Sequence, residues 1–435
     1  MLAFYGLGCF QTPPVVAAQE QSVSIAVDWN KYILTAETKV EGFRGPIVAR
    51  MYGYIGMAAY ETCLPGFAGD FRSMTTYYPQ MILPLAPPRD SFNMAIALNA
   101  CYSTIIGKFF MTSPDPDKKL KNNRAASWDK KIENGVDTAV IRISKKFGRD
   151  IAIAVYDWSS TDSLGYIANH HNYDRTYVPP SGEGKWVSSP DFPMPPLLPY
   201  WGKVRPFIIN TESYVAKPIP TDSIAAELLF HNQALELVSL SSPLSPENQW
   251  ISEFWNDDHP GLTFTPPGHW LSIVNQVISK ERPSIEKTLE TYMKTGFALG
   301  DALIACWYSK YVYNLERPET YIRREIDKTW RPHAPAPSFP TYPSGHAMMG
   351  AATAAILTDL YGSQYKMMDC SHDGIENFAV KPRQFNTFEE MAKENAMSRI
   401  LLGVHWRLDC EEGLRLGSLI GTDVSHLQLE NKLTE

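Results

Sequence analysis

A short turn at the start of a predicted helix combines two kinds of chemistry. Pro343, Ser344, Gly345 and His346 directly precede an alanine-rich apolar stretch, residues 347–361, whose composition favours a helix. Free backbone N–H groups at a helix N-terminus, together with the helix dipole, favour an anion. The serine adds a hydroxyl, the glycine lets a ligand approach closely, and the histidine titrates near neutral pH. The turn could bind an oxyanion and exchange a proton with it, although a serine N-cap followed by a structural histidine is the simpler interpretation of these four residues alone.

Two cationic residues lie upstream with a spacing that suits the same anion. Lys310 and Arg317 are seven residues apart, on a helix that we predict to end near Pro318. Seven residues make two helical turns, so both side chains would share one face, about 10.5 Å apart along the axis. The aromatic neighbours Trp307 and Tyr311 favour a cleft over an ordinary solvated basic face. The pair could therefore converge on one small anion.

Downstream, a third cation is followed by a histidine and a carboxylate. Arg399 precedes His405 by six residues, and Asp409 follows it by four. Residues four apart on a helix share a face, so Asp409 could accept the Nδ1–H of the imidazole and leave Nε2 free and more basic. The alternative is a helical histidine–aspartate pair of modest stabilising value.

Taken in chain order, the three segments resemble a family signature. Their residue types and spacing match the superfamily that contains the vanadium haloperoxidases and the type 2 phosphatidic acid phosphatases. The signature spans residues 310–409, with a looser similarity upstream at TPPGHW, residues 265–270. Each motif alone is a weak hypothesis, but three matches in order favour relationship over coincidence. The matching positions are Lys310-x6-Arg317-Pro318, Pro343-Ser344-Gly345-His346 and Ser398-Arg399-x5-His405.

This resemblance implies one pocket for a tetrahedral oxyanion. His405 would bind vanadium through Nε2 in a haloperoxidase, or act as the nucleophile in a phosphatase. His346 would be the acid–base group on the opposite axial side, Lys310 would assist it, and Asp409 would orient His405. These four residues form the predicted catalytic set. The residues that would hold the cofactor, vanadate or a phosphate in its place, are Lys310, Arg317, Ser344, Gly345, Arg399 and His405.

The resemblance also bears on the choice between the two chemistries. A chain of 435 residues is much longer than the soluble bacterial acid phosphatases and is more similar in length to the bacterial vanadium haloperoxidases. Trp307 and Phe339 occupy positions that could shape a halide pocket, although both could equally be core aromatics. The implied reaction uses hydrogen peroxide to oxidise a halide, iodide by preference and bromide as an alternative, to hypohalous acid that reacts with small organic acceptors. The other hypotheses are a soluble acid phosphatase with a phosphohistidine intermediate and a non-catalytic oxyanion-binding protein.

Composition sets the class of protein. Hydrophobic residues make up 44% and charged residues 20%, which is typical of a globular chain. The net charge of −7 argues against non-specific nucleic-acid binding. No stretch approaches the roughly 18 uninterrupted apolar residues of a membrane span, which excludes the membrane lipid phosphatases.

Helical periodicity dominates the pattern along the chain, for example at residues 39–62, 91–111, 284–315 and 346–361, and it predicts an all-α fold of two packed bundles. The resemblance implies that these bundles are of the vanadium haloperoxidase type. We predict one large domain over residues 21–435. It would comprise an N-terminal half (21–162), a proline- and aromatic-rich connector (163–210) and a C-terminal catalytic half (211–435). His269 and Asp301 are predicted to be structural residues, the latter a buried, hydrogen-bonded carboxylate.

The first 20 residues have the short apolar run and small-residue site of an export-signal remnant. They predict a periplasmic or extracellular protein, with lipid attachment through Cys9 as a further alternative. The other cysteines include no C-x-x-C pair and so do not indicate a zinc site. Cys306 and Cys410 are predicted to be small core residues, and a disulfide stays open at this stage.

Overall fold

The computed structural model describes residues 14–40, 42, 44–220, 223–240, 243–257, 259, 261–378 and 380–431. Cys9 and most of the predicted export segment lie outside these ranges. Within them the regular secondary structure is almost entirely helical, and two helical bundles pack against each other. The predicted fold class is therefore confirmed.

The first bundle is built around a buried helix pair, α2 and α3, against which α5 packs. Asn93 and Asp137 cap α3 and α5 by accepting N–H bonds in their first turns. The helices are α1 (Pro14–Glu37), α2 (Gly45–Cys63), α3 (Met94–Phe109), α4 (Asp115–Ile132) and α5 (Thr138–Ser160).

The second bundle holds the three signature segments. Its central helix, α12, packs against α10, α13 and α14. The helices after α5 are α6 (Ser163–Ile167), α7 (Ile224–Leu240), α8 (Pro246–Phe254), α9 (Pro266–Glu281), α10 (Ile285–Tyr313), α11 (Pro318–Glu325), α12 (Gly345–Tyr361), α13 (Phe388–Leu401) and α14 (Arg407–Ser425).

Helix α10 joins the two bundles. It is 29 residues long, buried along most of its length, and packs against α2 on one side and α12 on the other. Close approach to α2 depends on glycine, because a Cβ at Gly296 would lie 2.6 Å from the backbone nitrogen of Gly53. The site residues that follow α10 are therefore anchored to both bundles.

Helices α12 and α14 touch backbone to backbone. Gly413, Gly417 and Gly421 lie four residues apart on one face of α14, and a Cβ on any of them would overlap backbone atoms at Ser344, Met348 or Ala352. Small residues at this spacing form a flat ridge that lets the helices approach. The ridge places the start of α14 beside the start of α12.

The prediction that Lys310 and Arg317 share one helix face is wrong. Helix α10 ends at Tyr313 because Asn314 adopts a left-handed conformation with φ of 49°. Arg317 instead precedes Pro318, the first residue of α11. Helices α1, α4, α6 and α11 were not predicted either. The sequence of α4 is too polar to show an apolar stripe, and α6 and α11 are only five and eight residues long.

The connector runs over the surface and is tied down at several points. Trp186 and Trp201 are buried, and residues 207–209 donate three backbone N–H bonds to Asp301, at 2.6, 2.8 and 3.1 Å. Asp301 is completely buried, so its predicted structural role is confirmed.

The remaining regular structure is small. Strands β1 (Met367–Asp369) and β2 (Arg383–Phe385) form an antiparallel pair in which Met368 faces Gln384. The cysteines in the described ranges are all free thiols, which leaves Cys306 and Cys410 unpaired with each other. None of the described helices has the length and apolar content needed to cross a membrane.

Candidate active site

The three signature segments meet at a cavity of about 490 Å³. Gly345, His346, Arg399 and His405 line it, and Trp307 and Phe339 form part of its wall, with ring centroids 4.9 Å apart. The other predicted site residues, Lys310, Arg317, Ser344 and Asp409, are buried and contact these lining residues or the adjoining backbone.

The Pro-Ser-Gly-His turn begins α12, as predicted. Ser344 is its N-cap, and Gly345 and His346 are its first two residues. The Ser344 Oγ accepts from the backbone N–H of Ala347 at 3.5 Å, and the Ser344 N–H donates to the Asp409 carbonyl at 2.9 Å. The turn is thus bonded directly to the first turn of α14.

His405 is held by a carboxylate and a hydroxyl. Its Nδ1 lies 2.9 Å from Asp409 Oδ2 and 3.1 Å from Thr341 Oγ1, and the Thr341 hydroxyl also donates to Asp409. His405 precedes α14 rather than lying on it, so the contact does not arise from one helical face. It arises because Asp409 also accepts the backbone N–H of Trp406, the N-cap residue, at 3.0 Å. With its Nδ1–H donated to a carboxylate, the imidazole presents the Nε2 lone pair to the cavity.

Arg317 reaches His405 from the side. Its Nη1 donates to the Val404 carbonyl at 2.7 Å and lies 3.5 Å from His405 Nε2, while its Nε donates to the Phe339 carbonyl at 3.0 Å. Nη2 is buried and has no hydrogen-bond partner among the described residues. A buried, charged donor without an acceptor is costly, so this atom could donate to an anion.

Lys310 is bonded to the segment just before the Pro-Ser-Gly-His turn. Its Nζ donates to the carbonyls of Pro340 and Thr341, at 3.0 and 2.7 Å, and lies 5.1 Å from the ring centroid of Phe339. An ammonium group carries three donors, so two carbonyl bonds leave one more. Burial lowers the pKa of Lys310 to about 8, with Arg317 adding to the effect.

Arg399 determines the tautomer of His346. Arginine can only donate, so the 3.2 Å contact between Arg399 Nη1 and His346 Nε2 makes that ring nitrogen an acceptor and leaves the proton on Nδ1. Arg399 Nη2 donates to the Trp255 carbonyl at 2.6 Å. Burial, Arg399 and Lys310 lower the pKa of His346 well below its ordinary value, so the ring is neutral at pH 7.

The charges around the cavity favour an anion. Burial lowers the pKa of Arg317 and of Arg399 to about 10, so both remain cationic at pH 7. Burial also lowers the pKa of His405, with Arg317 and Lys310 adding to the effect, and it raises that of Asp409 to about 6. Three cations therefore surround two neutral imidazoles, with Asp409 as the carboxylate in contact with His405. Such a donor set suits a tetrahedral oxyanion and would repel a metal cation.

Comparison with known proteins agrees with this chemistry. Residues 290–431 match the family model described as the second helical-bundle domain of VCPO. Vanadium chloroperoxidase of Curvularia inaequalis is 22% identical, over 91% of this chain and 81% of its own. The solved structure of a bacterial vanadium-dependent iodoperoxidase is 26% identical, with a TM-score of 0.77 over 95% of this chain and 98% of its own. The chain is related to the vanadium haloperoxidases.

Two further vanadium haloperoxidases match very different lengths of this chain. Vanadium-dependent bromoperoxidase of Ascophyllum nodosum is 35% identical over 104 residues, 22% of this chain and 18% of its own. A bacterial vanadium-dependent chloroperoxidase is 14% identical with a TM-score of 0.66, over 90% of this chain and 93% of its own, which shows a common fold. The predicted family is thus confirmed. The names of these relatives specify different halides: chloride, bromide and iodide.

Vanadate, the cofactor of this family, fits the residues present. It is a tetrahedral oxyanion that needs cationic donors for its oxygens and one nitrogen ligand for the metal. Arg317 Nη2 supplies an unsatisfied donor, and His405, which lines the cavity and contacts Arg317, supplies the Nε2 lone pair. The predicted roles of these residues remain proposals about this chain.

A buried cluster behind Arg399 was not predicted. His269 is completely buried, with Nδ1 2.9 Å from Asp257 Oδ2 and Nε2 3.0 Å from Asp369 Oδ2. Asp257 also lines the cavity, and its negative charge counteracts the effect of burial on Arg399. His372 completes the cluster, because its Nε2 lies 3.5 Å from Asp257 Oδ1. No sequence signal could have joined these residues, since they come from three separate segments of the chain.

The cluster has the geometry of a metal site, but the hydrogen bonds of His269 indicate that it does not bind a metal. Asp257, His269 and His372 could each offer a ligand atom within 4.8 Å of the others. Burial opposes a charge on His269, yet the two carboxylates prevail and raise its pKa to about 10. An imidazolium has no lone pair for a metal, so His269 acts as a clamp between two carboxylates. The predicted structural role of His269 is confirmed by these bonds.

Proposed function

We propose that this chain binds vanadate and uses hydrogen peroxide to oxidise a halide to hypohalous acid. The observation that carries the proposal is the buried Nη2 of Arg317, which has no hydrogen-bond partner among the described residues. The neighbouring Nη1 lies 3.5 Å from the Nε2 lone pair of His405, within a buried set of three cations. Iodide is the proposed halide, because the bacterial iodoperoxidase resembles this chain over nearly the whole length of both proteins. Bromide is the alternative.

Each residue has a defined task in this proposal. Arg317, Arg399 and Lys310 hold the oxygens of the anion and offset its charge, and the Gly345 N–H adds a neutral donor at the start of α12. His405 supplies the metal ligand, with Asp409 keeping its proton on Nδ1. Bound vanadate would supply a Lewis acid that activates hydrogen peroxide without changing its own oxidation state.

His346 is the proposed acid–base group. Its Nε2 accepts from Arg399 and its Nδ1 carries the proton, so the ring is neutral and anchored at one end. Negative charge in the cavity would offset Arg399, Lys310 and Arg317, which now lower its pKa. The only ring nitrogen with a lone pair is Nε2, so the ring can take a proton there from an incoming peroxide, in place of the bond from Arg399, and return it to the departing oxygen.

The aromatic wall suits a large halide. Trp307 and Phe339 present ring surface to the cavity, and Lys310 Nζ lies 5.1 Å from the Phe339 ring centroid. A polarizable, weakly hydrated anion such as iodide loses less on entering such a site than a smaller halide does. Hydrogen peroxide, halide and small organic acceptors are the proposed partners, and export of the chain, predicted from residues 1–20, would place the reaction outside the cytoplasm.

One titration tests the proposal against its two alternatives. Apo-protein is titrated with vanadate while iodide oxidation and p-nitrophenyl phosphate hydrolysis are followed together, with added phosphate as competitor. We expect iodide oxidation to rise with vanadate and phosphate to slow that rise. Fast hydrolysis with no iodide oxidation at any vanadate level would instead support the phosphatase hypothesis. Anion binding without either activity would support a binding protein.

A further inference from the structure

The mouth of the cavity carries an exposed thioether. Met194 lines the same cavity as His346 and His405, and its side chain is 45% exposed. Phe192 lies beside it at the rim and is also exposed. Product that leaves the cavity on this side would pass this part of the connector.

Met194 is held in place rather than left on a loose loop. The Ser188 hydroxyl donates to the Met194 carbonyl at 3.0 Å and accepts the Met194 N–H at 2.9 Å. Three residues later, the Leu197 N–H donates to the Ser338 carbonyl at 2.9 Å, and the Leu197 carbonyl accepts from Tyr311 at 2.7 Å. These bonds fix the connector to the cavity wall.

We propose that Met194 is a self-modification site, at which hypohalous acid formed in the cavity converts the thioether to a sulfoxide. The inference rests on the proposed function, because the oxidant is its product. A thioether sulfur has an accessible, polarizable lone pair and is oxidised readily. The phenyl ring of Phe192 beside it lacks this reactivity.

The reaction balances without any further oxidant. The sulfur lone pair attacks the halogen of the hypohalous acid, an S–halogen bond forms, and hydroxide leaves. Water then attacks sulfur, halide leaves, and two protons are lost, one of which neutralises the hydroxide. Sulfur gives up two electrons, the halogen passes from +1 to −1, and the net products are sulfoxide, halide and one proton.

The consequence is that the polarity of the cavity mouth at Met194 changes as the enzyme turns over. A sulfoxide is polar and a good hydrogen-bond acceptor, whereas the thioether is apolar. Oxidation at Met194 would therefore make the mouth less favourable for apolar organic acceptors while the buried anion site stays as it is.

The chain contains its own controls for the test. Met111 and Met368 are 48% and 54% exposed but lie outside this cavity. Oxidant that diffuses through bulk solvent should reach all three thioethers at similar rates. Oxidant released through the cavity mouth should reach Met194 first.

The experiment compares internal with external oxidant. Vanadate-loaded protein turns over hydrogen peroxide and iodide with excess free methionine as a bulk scavenger, and peptide mass spectrometry quantifies one added oxygen at each methionine. We expect oxidation at Met194 several-fold ahead of Met111 and Met368. With hypoiodite added from outside, without scavenger, the three should differ little. A Met194→Leu variant checks the assignment of the oxidised peptide, and Met368→Leu is the matched control.

Two outcomes overturn the inference and they are distinguishable. If iodide is oxidised but Met194 reacts no faster than Met111 and Met368, the self-modification site is wrong and the proposed function stands. If the same sample oxidises no iodide at any vanadate concentration, the proposed function fails and the inference fails with it.

Discussion

His405 depends on partners that orient its ring. Asp409 Oδ2 accepts from Nδ1 at 2.9 Å, and Thr341 bonds to both side chains. The same carboxylate oxygen also caps α14 through Trp406. A single atom of Asp409 therefore serves both the fold and the proposed metal ligand.

Replacing His405 by alanine should abolish iodide oxidation, because the proposed ligand of vanadium is lost. Asp409→Ala should be milder and weaken vanadate affinity by roughly 10–100-fold, the usual effect of a residue that orients a ligand. The measurement is the vanadate dependence of iodide oxidation. His426→Ala, an exposed histidine at the far end of α14, is the matched control. Unchanged turnover in His405→Ala would end the site hypothesis.

Lys310 should make anion binding dependent on pH. In the anion-free site burial lowers its pKa to about 8, so it loses its proton as pH rises through that value. A bound oxyanion stabilises the protonated form, so binding above pH 8 must take up a proton and affinity must fall as pH rises. Calorimetric titration of apo-protein with phosphate from pH 7.5 to 9.5 measures this. The decline should be much smaller in Lys310→Arg, and equal declines in both proteins would contradict the assignment.

At the scale of elements, two packing arrangements position the site. The glycine ridge of α14 sets its distance from α12 and so aligns Gly345 with His405. The His269 clamp joins α9 to β1 and to the segment after α8 through Asp369 and Asp257. Neither arrangement touches the proposed cofactor, yet both fix the elements that would hold it.

Gly417→Ala should separate α14 from α12, because the added Cβ would overlap the Met348 carbonyl. Overpacking of this kind costs about 1–3 kcal/mol of unfolding free energy. Activity should fall as well, since the Ser344 N–H bond to the Asp409 carbonyl spans the same interface. Chemical denaturation and iodide oxidation are measured beside Ser418→Ala, an exposed neighbour on the same helix. Equal stability of the two variants would refute the close-contact explanation.

His269→Ala should destabilise the protein by roughly 3–5 kcal/mol near neutral pH, because it leaves buried carboxylates without their counter-charge. The pKa of His269 is raised from 6.5 to about 10, so the folded protein binds a proton that the unfolded chain releases between these values. Its stabilising effect is therefore complete below pH 6.5 and lost as pH rises towards 10.

Urea denaturation of wild-type and His269→Ala proteins across pH 6–10 tests this sign, with His231→Ala as the exposed control. The difference in unfolding free energy should shrink as pH rises. A difference that grows instead would show that His269 is neutral in the folded state.

For the whole molecule, α10 makes the two bundles mutually dependent. Its buried residues contact α2 on one side and α12 on the other, so neither bundle can open without exposing this helix. The site lies in the second bundle, and its walls include Pro46 near the start of α2 in the first.

We therefore expect one cooperative thermal transition for both bundles. Phosphate at about 100 times its dissociation constant should raise the unfolding free energy by about 2.7 kcal/mol and move the whole transition, because binding selects the folded state. Differential scanning calorimetry compares the calorimetric and van't Hoff enthalpies. Two resolved transitions, of which phosphate moves only one, would show that the bundles unfold independently.

The sequence by itself determined the features that are local. Apolar periodicity predicted α2, α3, α10 and α12 because a helix buries one face at a fixed spacing, and the resemblance of three motifs indicated the family. The dependence on local pattern also explains why one helix and one helix end were predicted wrongly. Helix α4 has no apolar stripe to detect, and α10 ends at Asn314 partly through bonds to Trp186 and Tyr177 in the connector.

Only the tertiary structure decided how the site residues are paired. Thr341 meets Asp409 across 68 positions, Arg399 meets the Trp255 carbonyl across 144, and His269 meets Asp369 across 100. Contacts at such separations depend on how helices pack, and no spacing rule along the chain encodes them. The unpaired Nη2 of Arg317 belongs to this class too, because an atom lacks a partner only once everything around it has been placed.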